Sequence, residues 1–186
     1  MTRQSFPGTF CSVSEPRWLD EREARAWRGY DRMRLQLSAR LNRNLLRDAG
    51  LSLADYEVLV NLSEASDGRL RAFQLGDALQ WEKSRLSHHL TRMQRRGLVL
   101  RAGCKTDGRG AFVVLTDAGR AAIERAAPEH VEDVRRALVD VLTPDQLDAL
   151  AEISQAVLAQ LSADDGAPAS SRTPHGPGGG RRPSPL

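Results

Sequence analysis

Residues 83–109, KSRLSHHLTRMQRRGLVLRAGCKTDGR, decide the fold and carry a concentrated block of positive charge. They contain eight basic side chains and one acidic side chain, a net charge of +7, whereas all 186 residues together carry +3. The remainder of the chain therefore sums to −4. A basic block within a nearly neutral protein is typical of a surface that binds a polyanion.

The order of residues within 83–97 predicts an amphipathic helix. At 100° per residue, Leu86, Leu90 and Met93 form one apolar stripe. The opposite side carries polar and basic side chains, namely Ser84, Arg85, His88, Thr91, Arg92 and Arg95. Gly97 stands where a glycine ends many helices. One face is thus suited to a core and the other to phosphates and base edges.

The flanking segments complete a winged-helix plan. Two short apolar segments, LVLRAGC and AFVVL, enclose the charged turn KTDGRG and predict a β-hairpin with a basic tip. Before the basic helix, QLGDALQ at 74–80 predicts a short helix, and Trp81 supplies an apolar residue in the turn that follows. That turn, Gln80-Trp81-Glu82, lacks the glycine found in many helix-turn-helix turns.

The remaining pattern is helical, so we predict a mainly α fold with a small β-wing. Residues 17–48 predict a long amphipathic helix of ~45 Å, and residues 52–63 a helix with a Ser-Leu-Ala-Asp capping box. A helix containing Pro128 runs from Thr116 to about residue 141, and Thr143-Pro144-Asp145-Gln146 starts the last one. The first and last helices have little core of their own to cover, which predicts a twofold dimer burying more than ~2,000 Å².

Composition and pattern set the expected boundaries. They predict a flexible arm at 1–17, a single domain at 18–162 with dimerisation helices at 18–48 and 117–162 around a winged helix-turn-helix at 51–116, and a disordered Gly/Pro/Ser/Arg-rich tail at 163–186. No apolar run approaches the ~18 residues of a membrane span. Two cysteines are too few for a disulfide framework, so a cytoplasmic protein with reduced thiols is expected.

The chain resembles the MarR-type (multiple-antibiotic-resistance) winged-helix regulators. The resemblance lies in LSLADYEVLVNLSEA, QLGDALQWEKSRLSHHLTRMQRRGLVLR, the wing DGRG and the following LTDAGR, and the order of elements agrees over roughly residues 20–162. It implies a homodimeric DNA-binding regulator of transcription, most often a repressor, that a small ligand or oxidation can release.

A twofold pair of such helices enters successive major grooves ~10 bp apart, so the expected target is an inverted repeat in double-stranded DNA. Arg85 is the expected guanine reader, through O6 and N7, and Arg109 the expected minor-groove contact. The predicted recognition-helix contacts are Lys83, Ser84, Arg85, Ser87, His88, Thr91, Arg92 and Arg95, of which Lys83, Arg92 and Arg95 are assigned to phosphates. The predicted wing contacts are Arg101, Lys105, Asp107 and Arg109. The resemblance implies that Asp107 orients Arg109; the alternative is that Asp107 only forms the turn.

Two regulatory sites remain as hypotheses. Cys104 lies beside Arg101 and Lys105, and nearby cations lower a thiol pKa, which would suit a redox sensor; the alternative is an ordinary wing cysteine. The resemblance implies a small-molecule effector between the dimerisation helices and the winged lobe. The candidate contacts are Trp27, Tyr30, Arg34 and Tyr56, and the alternative for each is packing.

Other chemistry is not expected. Adjacent helical residues point about 100° apart, so His88 and His89 are predicted to face DNA or solvent and not to bind a metal ion. We expect no cofactor and no enzymatic activity, because no nucleophile–base pattern or phosphate-binding glycine loop is present. The alternatives to a sequence-specific regulator are an architectural or nonspecific DNA-binding protein of the same fold, and a winged helix that binds protein.

Overall fold

A computed structural model describes residues 16–103 and 111–166 of the chain. They divide into two compact units, the first ending at Ala137 and the second beginning at Leu138. Within the described ranges the first unit contains helices α1 Glu21–Ala49, α2 Leu53–Glu64, α3 Ala72–Leu79, α4 Lys83–Arg95 and α5 Asp117–Ala137, and strands β1 Arg69–Arg71, β2 Val99–Ala102 and β3 Phe112–Leu115. The second contains a 3-10 turn, Val139–Val141, and α6 Pro144–Gly166. The predicted mainly helical fold with a small sheet is confirmed.

Reciprocal caps start three of the helices. At α2, Ser52 Oγ accepts from the Asp55 N–H at 3.0 Å, and the Asp55 carboxylate accepts from the Ser52 N–H at 2.9 Å. This is the predicted capping box. Thr143 and Gln146 make the same pair of bonds at α6. At α1 the cap is Asp20, so the helix begins at Glu21. The apolar pattern alone predicts an earlier start, at residue 17.

The turn between α3 and α4 depends on a residue that is not glycine. Gln80 adopts a left-handed conformation with φ 53°, and its N–H reaches the Asp77 carbonyl at 3.2 Å. Its side-chain amide donates to the same carbonyl at 2.7 Å, which stabilises a conformation that few non-glycine residues adopt. The helix-turn-helix therefore forms without the usual glycine.

The sheet has one strand more than the predicted hairpin. Strand β3 lies in the centre, with β2 and β1 antiparallel on either side, in the order β1-β3-β2. Leu70 of β1 pairs with Val113 of β3. Three residues are too few to show an alternating pattern, so sequence reasoning missed β1.

The core of the first unit lies between α2, α4, α5 and the sheet. Leu86, Leu90 and Met93 are buried, which confirms the predicted apolar stripe of α4. They pack with buried residues from every other helix of the unit and from the sheet, among them Leu45, Leu59, Leu75, Val113 and Ile123. The polar side of α4 is consequently turned outward by the packing of its apolar side.

Helix α5 packs closely against the strand that leads into the hairpin. Thr116 Oγ1 accepts from the Gly119 N–H at 2.9 Å and lies 2.6 Å from the Gly97 carbonyl, to which it can donate. The helix then runs through Pro128 and ends at Ala137, four residues before the predicted end. None of the helices in the described ranges is long and apolar enough to cross a membrane.

Gly119→Ala should destabilise the chain, because a Cβ built there would overlap with the Leu98 carbonyl oxygen. Since that atom is backbone, α5 must shift, and we expect a loss of about 1–3 kcal/mol or more in urea unfolding. The control is Gly29→Ala in α1, where a Cβ meets no described atom within 4 Å. That variant should gain up to about 1 kcal/mol. Equal effects of the two substitutions would contradict the packing described for Gly119.

Candidate nucleic-acid interface

The outward face of α4 presents a nearly continuous polar and basic surface. Most of the predicted contacts are exposed and Thr91 is half-buried; the exposed ones are Lys83, Ser84, Arg85, Ser87, His88, Arg92 and Arg95. Because the apolar stripe fixes the rotation of the helix, these side chains point away from the core together. The arrangement offers guanidinium, hydroxyl, ammonium and imidazole groups to one ligand surface.

The Arg85 guanidinium lies over an aromatic ring. Its guanidinium carbon lies 4.3 Å from the centroid of Trp81, a cation–π contact. Trp81 comes from the turn before α4 and packs against the hydrophobic core. The contact with the ring therefore restricts the arginine side chain, which reduces the conformational entropy that this side chain would lose on binding.

His89 lies in the core and not on the outer face, so the prediction that it faces DNA or solvent is wrong. It is only 6% exposed, whereas His88 is exposed. The 100° step between the two residues puts His88 outside and His89 beside Leu86 and Leu90. Its ring meets the edge of Trp81 at 5.1 Å and 84°, and its Nδ1 lies 2.9 Å from Arg92 Nη2.

Asp55 of α2 connects these residues to the rest of the lobe. Arg96 Nη1 donates to its Oδ2 at 2.7 Å, and His89 Nε2 lies 3.0 Å from its Oδ1. The histidine contact is a close polar approach rather than an aligned hydrogen bond. Burial alone would raise the pKa of the Asp55 carboxyl, but His89, the Ser52 cap and Arg96 together hold that pKa well below its usual range.

Arg101 joins the wing strand β2 to the recognition helix. Its Nη2 donates to the Ser87 carbonyl at 2.9 Å and lies 3.3 Å from Ser87 Oγ. The Thr91 hydroxyl donates to the same carbonyl at 2.9 Å. Two of the predicted DNA contacts, Arg101 and Ser87, are therefore already bonded to each other, and the Thr91 hydroxyl proton is also in use.

Part of the basic block is structural, and part of the basic surface lies outside the block. Arg96 is bound to Asp55 and to the Gly50 carbonyl, at 2.6 Å, so its charge is neutralised locally. Arg69 and Arg71 of β1 lie over the Phe112 ring at 5.2 and 4.6 Å. Sequence reasoning did not select them because the strand itself was missed; their alternation around Leu70 is the signal that could have found them.

The tip of the wing lies outside the described residues. The predictions for Lys105, Asp107, Arg109 and the redox hypothesis for Cys104 all fall there. Most of the predicted arm and tail also lie outside, although α6 continues to Gly166, beyond the expected boundary at 163.

The four candidate effector contacts are not brought together within the chain. Trp27 and Tyr30 are exposed on α1 with ring centroids 5.9 Å apart, and Arg34 is paired with Asp31 at 2.8 Å. Tyr56 instead packs against His130 of α5, with ring centroids 4.2 Å apart and the rings tilted by 47°. Helix α2 docks on α1 through Asn42, which is 15 residues or about 22 Å along the helix from Trp27.

Within the described residues, no group of three or more His, Cys, Asp or Glu side chains is placed to hold a metal ion. An open groove of about 610 Å³ runs along α1 and could hold a small molecule. It is lined by Met33 and Leu37 and by the arginines Arg32, Arg40 and Arg43. A second groove of about 650 Å³ lies between α3, α4 and the base of the wing.

Comparison with known proteins identifies the family. A family model for the MarR family matches residues 49–110. AbsC, a MarR family transcriptional regulator from Streptomyces coelicolor, is 40% identical, with a TM-score of 0.74 over 80% of this chain and 99% of that one. This chain belongs to the MarR family. It is a transcriptional regulator of that family and not an enzyme.

Two further transcriptional regulators are similar to this chain. Sco3205 of Streptomyces coelicolor, a MarR family regulator whose structure was solved in complex with DNA, is 42% identical with a TM-score of 0.75, over 79% of this chain and 92% of that one. PecS, an HTH-type transcriptional regulator of Dickeya dadantii, is 32% identical over 95 residues, which are 50% of this chain and 55% of PecS.

Asp55→Asn should lower the free energy of unfolding of this MarR-family chain by about 2–4 kcal/mol at pH 7, because it uncouples Arg96 and His89 from α2. The folded-state pKa of Asp55 is depressed, so its contribution is present above the unfolded pKa of about 3.9 and is lost as the pH falls below it. The gap between wild type and variant in urea unfolding should therefore shrink between about pH 4 and pH 2.

The control for Asp55 is Asp31→Asn, which breaks the exposed ion pair with Arg34. We expect less than about 1 kcal/mol from it. A gap between wild type and Asp55→Asn that stays constant down to pH 2 would mean that the charge of Asp55 does not stabilise the fold.

Proposed function

We propose that this chain is a sequence-specific regulator that binds an inverted repeat in double-stranded DNA as a homodimer, most often to repress transcription in the cytoplasm. The observation that carries the proposal is the exposed face of α4. There the Arg85 guanidinium lies over the Trp81 ring, and Arg92 Nη2 lies within hydrogen-bond distance of His89 Nδ1. These contacts position the two arginine side chains before a ligand binds. The DNA complex of Sco3205 supports a duplex as that ligand.

Different residues are proposed for sequence and for backbone. Ser84, Arg85 and His88 lie in the first turns of α4, from which side chains reach base edges. Arg85 can donate two hydrogen bonds to guanine O6 and N7. Lys83, Arg92 and Arg95 would contact phosphates, which fix the register and give the salt dependence. Arg101 would act through Ser87 by holding the wing against α4.

Exposed apolar faces on α1 and α6 support the homodimer. Trp27, Tyr30 and Met33 lie on α1, each 43% exposed or more, and α6 exposes four large apolar residues. These are Ile153, Val157, Leu158 and Leu161. A contact with the same helices of a second copy would cover both faces and give the twofold axis that an inverted repeat requires. Release by a small molecule stays a prediction, because Tyr56 lies apart from the three candidate contacts on α1.

Selection of bound fragments from randomised and genomic duplexes tests the proposal. We expect an inverted repeat with half-sites ~10 bp apart, bound at least ~10³-fold more tightly than scrambled DNA at the same salt concentration. Absence of an enriched motif, with affinity that only collapses as salt rises, would instead identify an architectural or nonspecific DNA-binding protein.

Arg85→Ala and Arg95→Ala separate base reading from phosphate binding in the same assay. Arg85→Ala should reduce discrimination at one base pair of each half-site by about 1–3 kcal/mol. Arg95→Ala should weaken all duplexes alike and lower the salt slope by about one. If both variants lose affinity uniformly, Arg85 contacts only the backbone.

Leu158→Glu should disrupt the proposed homodimer, because a charge would be buried in the apolar interface. Sedimentation analysis should show a dimer for wild type and a shift towards monomer for the variant. Gln155→Glu introduces the same charge about 135° away from the centre of the apolar stripe of α6 and should leave the dimer intact. A wild-type monomer at micromolar concentration would contradict the proposal directly.

A further inference from the structure

We propose that His89 is a positioning residue of the DNA-binding face, whose buried Nδ1 holds the Arg92 guanidinium in place for a DNA phosphate. This inference rests on the proposed function of α4 and assigns to a core residue a role in binding. The contact that carries it is the 2.9 Å approach of Arg92 Nη2 to His89 Nδ1.

The imidazole is fixed before it meets Arg92. Its Nε2 lies 3.0 Å from Asp55 Oδ1, and its ring stands nearly perpendicular to Trp81 at 5.1 Å. Asp55 is itself held by Arg96 and by the Ser52 N–H. The His89 ring has a single orientation, because a carboxylate and an indole confine it and it is only 6% exposed.

The chemistry of the two neighbours sets the tautomer. A guanidinium can only donate hydrogen bonds, so Nδ1 must be the unprotonated, accepting nitrogen. The proton of the neutral ring then lies on Nε2 and faces the Asp55 carboxylate. His89 thus accepts a hydrogen bond from Arg92 at Nδ1 and directs its Nε2 proton towards Asp55.

Arg92 gains a defined direction from this contact. Its side chain is exposed, and an arginine at the surface normally samples many rotamers that it must give up on binding. One of its five N–H donors is used by His89, which leaves donors on the other nitrogens for a phosphate. Arg95, one turn further along the same face, makes no hydrogen bond or ion pair to any described residue, so it lacks this preorganisation.

Packing alone does not account for a histidine at this position. The neighbouring inward positions, Leu86, Leu90 and Met93, are apolar and buried. A buried polar ring costs free energy unless its nitrogens find partners, and Asp55 already has Arg96 as a charge partner. Among the described residues, Arg92 is the charged partner that His89 alone contacts.

A double-mutant cycle on duplex DNA tests the coupling. His89→Phe keeps a flat ring beside Trp81 and removes both nitrogens, whereas His89→Asn keeps an acceptor near the position of Nδ1. We expect His89→Phe to weaken binding by about 3–10-fold and to lower the salt slope as Arg92→Ala does, and His89→Asn to bind almost as wild type. In the Arg92→Ala background, His89→Phe should have no further effect.

The control pairs His89→Phe with Arg95→Ala, where the two losses should add. If His89→Phe costs the same with and without Arg92, the residue acts through the fold and the proposal is overturned. Because a phosphate contact is independent of sequence, the cycle can be measured on scrambled duplex as well. Failure to find a specific site would then count against the proposed function and not against the role of His89.

A measurement on wild type keeps the proposal testable if His89→Phe does not fold. Nitrogen-15 shifts of the His89 ring at pH 7.5, without DNA, should show an unprotonated Nδ1 and a protonated Nε2. A proton on Nδ1 would exclude the hydrogen bond from Arg92 and overturn the inference. Binding of no duplex at all by the wild-type chain would overturn the proposed function before any variant is compared.

Discussion

The buried carboxylate of Asp55 is the interaction on which the geometry of the winged lobe depends. It closes the cap of α2 through Ser52, receives Arg96 from the end of α4, and lies 3.0 Å from His89 in the middle of α4. Arg96 also reaches the Gly50 carbonyl, where α1 ends. Asp55 and Arg96 together therefore link three helices, and the carboxylate remains ionised because Arg96, the Ser52 cap and the nearby His89 ring outweigh the cost of its burial.

The recognition helix is consequently fixed by polar as well as apolar contacts. The apolar stripe of α4 sets its rotation, since Leu86, Leu90 and Met93 must face the core. The ion pair of 2.7 Å between Asp55 and Arg96 adds a polar contact between α2 and the C-terminal end of α4. Asp55 and Arg96 thus help to hold α4 in place on α2.

The basic residues of the block divide into those that face outward and those that build the surface. Arg96 and Arg101 are bonded within the protein, to Asp55 and to Ser87. Arg85 and Arg92 are exposed yet supported, by Trp81 and by His89. A count of charges cannot separate these groups, and the outward charge of the block is smaller than its formal +7. Arg69 and Arg71 of β1 lie over the Phe112 ring beside the hairpin, and Arg69 is also paired with Asp67 at 3.2 Å.

The sequence by itself determined the features that follow from local periodicity and local hydrogen bonding. The α4 stripe and the caps at Ser52 and Thr143 depend on residues three or four positions apart, and the hairpin on two apolar segments that flank one turn, so they can be predicted without knowing what packs against them. Only the tertiary structure decided the pairing of β1 with β3, the left-handed Gln80 and the contact of the buried His89 with Asp55. Each of these depends on partners distant in sequence or on one side chain that compensates a local cost. The pairing of Asp55 with Arg96, 41 residues apart, follows for the same reason, because a charge pattern does not specify its partner until the helices have packed.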